Sequence, residues 1–218
     1  MKKNMDTKGL MNEMGGAFAV SWLIFGATLW TDGAGSDMET MGMGLASLGG
    51  MFALMVAWMA FNGAHILPPI TWMNIMTSDD MSDTDMWMNN GLKLVAQVVG
   101  AALAIVLMAE VLEWDMVTYA QAYPNGQGDY EFDAMAVAGL VVAGAILGHI
   151  SSKVDNDWAM PVAVMAMAGL VNFESAADMA SMLMNETDDL VVVLLSWLLD
   201  GAFVGVGAFM AGWIDENL

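Results

Sequence analysis

Apolar residues along this chain gather into six long runs separated by short polar breaks. A helix needs roughly 20 mostly apolar residues to cross a bilayer. Runs of that kind lie at about 13–31, 42–61, 92–113, 132–150 and 190–214, with a shorter one at about 157–172. They predict six membrane-crossing helices joined by short loops, an all-α membrane protein in which residues 1–218 form one transmembrane domain. The first run follows a basic start, but no small-residue cleavage site ends it and similar runs follow, so it reads as a span and not as a signal peptide. Glycines recur inside the runs, among them Gly15, Gly16, Gly100, Gly144, Gly148, Gly201, Gly205 and Gly207. In lipid, small residues let helix backbones approach closely, so these read as packing positions.

Two segments fit neither a span nor an exposed loop. Residues 62–77 are too polar and Pro-rich to cross, yet too apolar for water. Pro68 and Pro69 suit the first turn of a helix, where a missing amide donor costs nothing. The segment therefore predicts a re-entrant half-helix starting near Pro68, a feature tolerated at membrane depth when buried in protein or lining a watery cavity. Residues 172–184 hold the corresponding place in the second half, with Ser175 as the N-cap of a short helix beginning at Ala176 and Ala177. Each half then reads span, span, half-helix, span. The third spans look alike, QVVGAALAIV from Gln97 and LLDGAFVGVG from Leu198. Halves with an odd number of spans, here about 1–118 and 119–218, must be inverted relative to each other, and inverted repeats with broken helices mark transport proteins.

Composition sharpens this picture. Hydrophobic residues make up 58% of the 218 residues and charged residues only 14%, with a formal charge of −20. Such a chain is repelled by a phosphate backbone, which excludes nucleic acid as a partner. There is no Cys and no Arg; the basic residues are Lys2, Lys3, Lys8, Lys93 and Lys153. Cytoplasmic loops carry excess Lys and Arg, and all five Lys fall on one side if both termini are cytoplasmic. The reading is a multi-pass protein of the cell membrane. His65 and His149 are too few and too far apart to suggest a metal site. The 25 Met stand mostly where Leu would stand, so they read as packing and not as a copper conduit. No phosphate loop, nucleophile triad or carboxylate pair supports an enzyme, and no cofactor is expected.

These residues resemble the aquaporin family, the major intrinsic proteins, in order along nearly the whole chain. Glu13, Gly15 and Phe18 resemble its opening span. Gly63-Ala64-His65-Ile66-Leu67-Pro68-Pro69-Ile70-Thr71 resembles its Gly-Ala-His-x-Asn-Pro-Ala-Val-Thr motif. Ala96-Gln97-Val98-Val99-Gly100-Ala101 resembles its third span, and Trp197 through Gly201-Ala202 the start of its last. The resemblance implies a right-handed six-span bundle, two half-helices meeting from opposite sides with Pro68 and Ala176 near their contact, and a homotetramer with one pore per protomer. It also shows departures. Leu67 stands for the first signature Asn, Ser175 for the second, and Asp178 for the selectivity Arg. Family spacing places the outer constriction at Ser47, Ala163, Asn172 and Asp178, a ring small or acidic where the family is bulky and cationic. Asp178 could instead cap its own half-helix, where a carboxylate is favourable.

Among polar residues at membrane depth, Glu13 and the Glu131/Asp133 pair resemble the family's buried glutamates that bind loop backbone. His65 is expected to hydrogen-bond within the first loop and Gln97 to be a buried polar group. Asp200 lies inside the last span, where a charge costs roughly 2.5–3.5 kcal/mol, so it should face protein or water, or be protonated. The implied function is a passive channel for water or a small neutral solute. A cation- or ammonium-permeable pore of the same fold is one alternative, favoured by Asp178. A non-conducting structural subunit is another, favoured by loss of both asparagines.

Overall fold

Eight helices carry the fold of the computed structural model, which describes residues 6–32, 45–61, 63–112, 132–168, 170–171, 173, 175–184 and 190–217, with residues 25–32, 45–47 and 112 described by backbone alone. They are α1 (Thr7–Asp32), α2 (Leu45–Ala60), α3 (Pro68–Met76), α4 (Thr84–Leu112), α5 (Ala134–Lys153), α6 (Ala159–Met167), α7 (Ala176–Met184) and α8 (Leu190–Asn217). No strand occurs among the described residues. By length and composition α4, α5 and α8 are each long and apolar enough to cross a membrane. α1 has 26 residues and begins two turns before its apolar run, where the Asp6 carboxylate accepts from Gly9 N at 3.0 Å.

α3 begins where its prolines predict, with both Pro68 and Pro69 buried in the first turn. Leu67 precedes it in an extended conformation and caps it with backbone only, its carbonyl accepting from Ile70 N at 3.1 Å and Thr71 N at 3.2 Å. α7 is also nine residues long, and Ser175 caps it. The fifth apolar run behaves differently from its expectation as a span over about 157–172. Among its described residues only Ala159–Met167 is helical, nine residues that rise about 14 Å at 1.5 Å each. That is half the thickness of a hydrocarbon core of about 30 Å.

The principal helix contacts among the described residues have a simple order. α1 packs on α4 and on α2; α5 packs on α8 and on α6. Each short helix packs on the long helix that follows it, α3 on α4 and α7 on α8. Each also crosses to the opposite set, α3 to α8 and α5, α7 to α4 and α1, while α2 meets α6. Exchanging α1, α2, α3, α4 with α5, α6, α7, α8 turns this set of contacts into itself.

Glycines set the register of the two long-helix pairs. A Cβ on Gly100 of α4 would strike the carbonyl of Met14 on α1, and one on Gly207 of α8 would strike the carbonyl of Val141 on α5. Gly144 meets Val204 in the same backbone-to-backbone way. Gly100 therefore corresponds to Gly207. The burial pattern agrees, since Gln97, Gly100 and Ala101 are buried like Val204, Gly207 and Ala208. Val99, Leu103, Val106 and Leu107 are exposed like Val206, Met210, Trp213 and Ile214. This corrects the sequence match of QVVGAALAIV with LLDGAFVGVG by six residues, or about 1.7 helical turns. The structural counterpart is VGVGAFMAGW from Val204. Gly201, which the sequence match pairs with Gly100, lies instead against the indole of Trp72 on α3.

Candidate functional site

A buried carboxylate shapes the loop before α3. Glu13 is 1% exposed. Its Oε1 accepts from His65 N at 2.7 Å, and its Oε2 accepts from Ile66 N at 2.9 Å and from Gln97 Nε2 at 2.8 Å. Consecutive backbone amides converge on one side chain because the chain reverses there. Gly63 has φ +88° and Ile66 has φ +64°. The left-handed region is unfavourable for a branched residue, and the two charge-assisted hydrogen bonds to Glu13 hold Ile66 there. Gly16 leaves the room, since a Cβ on it would sit 2.8 Å from Ile66 Cγ1.

The network continues through His65. Its Nε2 faces Lys93 Nζ at 3.1 Å and its Nδ1 faces Thr71 Oγ1 at 3.1 Å. An ammonium only donates, so Nε2 is the acceptor and Nδ1 carries the proton of a neutral ring. Thr71 Oγ1 then accepts from His65 Nδ1 and from Gln97 Nε2 at 3.0 Å, and its own proton points to Leu67 O at 3.5 Å. Lys93 Nζ stands 4.0 Å from Glu13 Oε1 and keeps a quarter of its side chain exposed. Gln97 Oε1 and Trp72 Nε1 have no partner among the described residues.

The second loop is built differently. Ser175 Oγ accepts from Asp178 N at 3.2 Å, and the Asp178 carboxylate accepts from Ser175 N at 2.7 Å. This is a reciprocal capping box with Asp in the acidic position. Trp197 Nε1 on α8 donates to Ser175 O at 3.0 Å. No carboxylate from α5 reaches this loop among the described residues. Asp133 is exposed and caps α5, its carboxylate accepting from Met135 N at 2.8 Å. That corrects the expectation that Asp133 is a buried loop anchor; Glu131 lies outside the described residues. The position matching Glu13, one before the carbonyl that meets the α8 glycine, is Leu140, a buried core residue.

The expected constriction is represented by two of its four residues. Ala163 packs from α6 against the main core, and Asp178 is the third residue of α7, tied to Ser175. Ser47 belongs to α2 by its backbone, and Asn172 lies outside the described residues. Ala176 is buried and packs with Ala177 against Ala101, Ala104, Ile105 and Met108 of α4. Asp200 is partly buried on α8 and makes no hydrogen bond or ion pair with any described residue. No three His, Asp or Glu side chains gather as a metal site among the described residues.

Sequence reasoning singled out Glu13, His65 and Gln97 but not the roles of Lys93, Thr71 and Trp197. Lys93 precedes Gln97 by four residues and so shares its helix face, a signal that points it at the same network. The indole of Trp197 has no comparable local signal. Comparison with known protein families and with curated proteins finds no match to this chain.

Proposed function

We propose that this chain is a passive membrane channel with an aquaporin-like fold, admitting water and small neutral solutes. The observation that carries this reading is the exchange order of the helix contacts, in which α3 and α7 each cross to the last long helix of the other half. Short helices inserted between two inverted halves are the feature from which transport sites at the midplane are built. Two further features support it. The buried Glu13 network holds an irregular loop that would be intolerable in lipid. The lipid-facing candidates Val99, Leu103, Val206 and Met210 lie on matching faces of α4 and α8.

On this reading the chain crosses six times, with the run that contains α6 as the fifth crossing. Both termini are cytoplasmic, the cell membrane is the location and the channel is a homotetramer. Leu67 offers no side-chain donor at the first half-helix, and the Ser175 hydroxyl, which accepts from Asp178 N, leaves a single O–H as donor at the second. The pore centre is therefore less polar than one lined by two asparagines. With Asp178 replacing a cationic constriction residue, solutes larger than water pass.

Stopped-flow shrinkage of proteoliposomes under water, glycerol and salt gradients tests the reading. Water and glycerol permeabilities well above empty liposomes are expected. Rates equal to empty liposomes for every solute would leave the chain a non-conducting membrane subunit.

A further inference from the structure

Asp200 is a charged residue inside α8 that the network above does not account for. The glycine register gives it a counterpart. Lys93 and Asp200 each lie seven residues before the glycine that meets the neighbouring helix, Gly100 on α4 and Gly207 on α8. Around the circumference of α8, Asp200 falls beside Val204 and Gly207, the side that meets α5, and away from the exposed arc of Val206, Phe209 and Met210. The facing residue on α1 is Glu13, and its counterpart on α5 is Leu140. The first half thus places a primary ammonium beside a carboxylate. By the glycine register, the matching positions of the second half are a carboxylate and a leucine.

Depth makes this costly. The stretch before Lys93 is polar, TDMWMNNGL, so Lys93 enters its helix at the edge of the apolar run. The stretch before Asp200 is LVVVLLSWLL, whose Val191, Leu194 and Leu195 are exposed apolar side chains. Exposed apolar side chains therefore flank Asp200 along the axis on both sides. An ionisable residue inside a span faces the bundle interior, is paired or hydrated, and marks an ion or proton path.

We propose that Asp200 is a binding point for a small monovalent cation of the ammonium class, held between α5 and α8 at membrane depth. The proposal rests on the channel reading for its route of access and on the glycine register for its chemistry. The ligand does at Asp200 what the tethered ammonium of Lys93 does beside Glu13.

Infrared difference spectroscopy of the detergent-purified full chain tests the site without transport. The buffer is exchanged between ammonium chloride and the chloride of a bulky organic cation. A carboxylate band that changes with ammonium and disappears in Asp200→Asn is expected. In Leu140→Lys a tethered ammonium faces Asp200, and the ammonium-dependent change is expected to vanish there too. Methylammonium uptake into proteoliposomes gives the second readout, falling to the empty-liposome rate in Asp200→Asn while water flux stays at the unmodified level. An ammonium-dependent band without any solute flux would sustain the site and reject the channel. Water flux with no Asp200-dependent band, as for a carboxyl that simply keeps a proton, would overturn the site and leave the channel standing.

Discussion

The two loops that lead into the short helices solve the same problem with different chemistry. Before α3, two backbone amides of a reversed chain are taken up by one buried carboxylate, brought from a helix 52 positions away in sequence. Before α7, the work is local: Ser175 and Asp178 cap each other three residues apart, and one indole from α8 holds the Ser175 carbonyl. The first loop depends on tertiary structure for its shape, whereas the second carries most of its own instructions. Damage to the first should spread through the fold, and damage to the second should stay near α7.

The largest expected effect follows from removing the carboxylate. Glu13→Ala leaves His65 N and Ile66 N without acceptors, each worth about 1–3 kcal/mol when buried, and frees Ile66 from its left-handed conformation. Thermal unfolding in detergent should show the greatest loss for this variant, larger than for any single change in the second loop. A loss no greater than that of a surface substitution would break the contrast between the loops.

The register of the halves gives the next effect. Gly100→Ala and Gly207→Ala each drive a methyl into a backbone carbonyl, and overpacking of this kind costs about 1–3 kcal/mol. Their losses should match, while Gly201→Ala, which meets the Trp72 side chain, should cost less because an indole can shift more readily than a helix backbone. If Gly201→Ala matched Gly100→Ala and Gly207→Ala did not, the sequence register would be restored.

The smallest effect belongs to the second loop. Ser175→Ala removes an N-cap worth about 1 kcal/mol. Hydrogen exchange should rise in the first turn of α7 and stay unchanged around Glu13. Exchange rising at both loops would show that they are coupled, and the contrast drawn above would fail.

These differences explain what could be read in advance. Pro68-Pro69 announces α3 because proline chemistry is local, and Ser175 announces α7 for the same reason. The Glu13 position could be flagged as a buried acid, but its three donors come from two other elements and leave no local mark. The register of α4 against α8 was misread because Gly-Ala occurs at both Gly201-Ala202 and Gly207-Ala208. Only the neighbouring backbone distinguishes them. Asp133 was misread because a carboxylate at the start of an apolar run looks the same whether it caps a helix or anchors a loop. The length of α6 was overestimated because an apolar run states where a chain can be buried and not where its helix ends.

The reach of the Glu13 network also has a consequence in time. Its first amide partner lies 52 positions downstream and its Gln97 partner 84 positions downstream. At synthesis rates of about 5–20 residues per second, the interval before Gln97 exists is roughly 4–17 s. For those seconds α1 has been made, while the amide that completes its carboxylate has not. On the channel reading, the carboxylate waits near the aqueous boundary or beside the insertion machinery until α4 arrives. Settling of α1 is thereby tied to synthesis of α4, and a ribosomal pause placed between them would lengthen the exposure of Glu13 without altering a single residue of the finished protein.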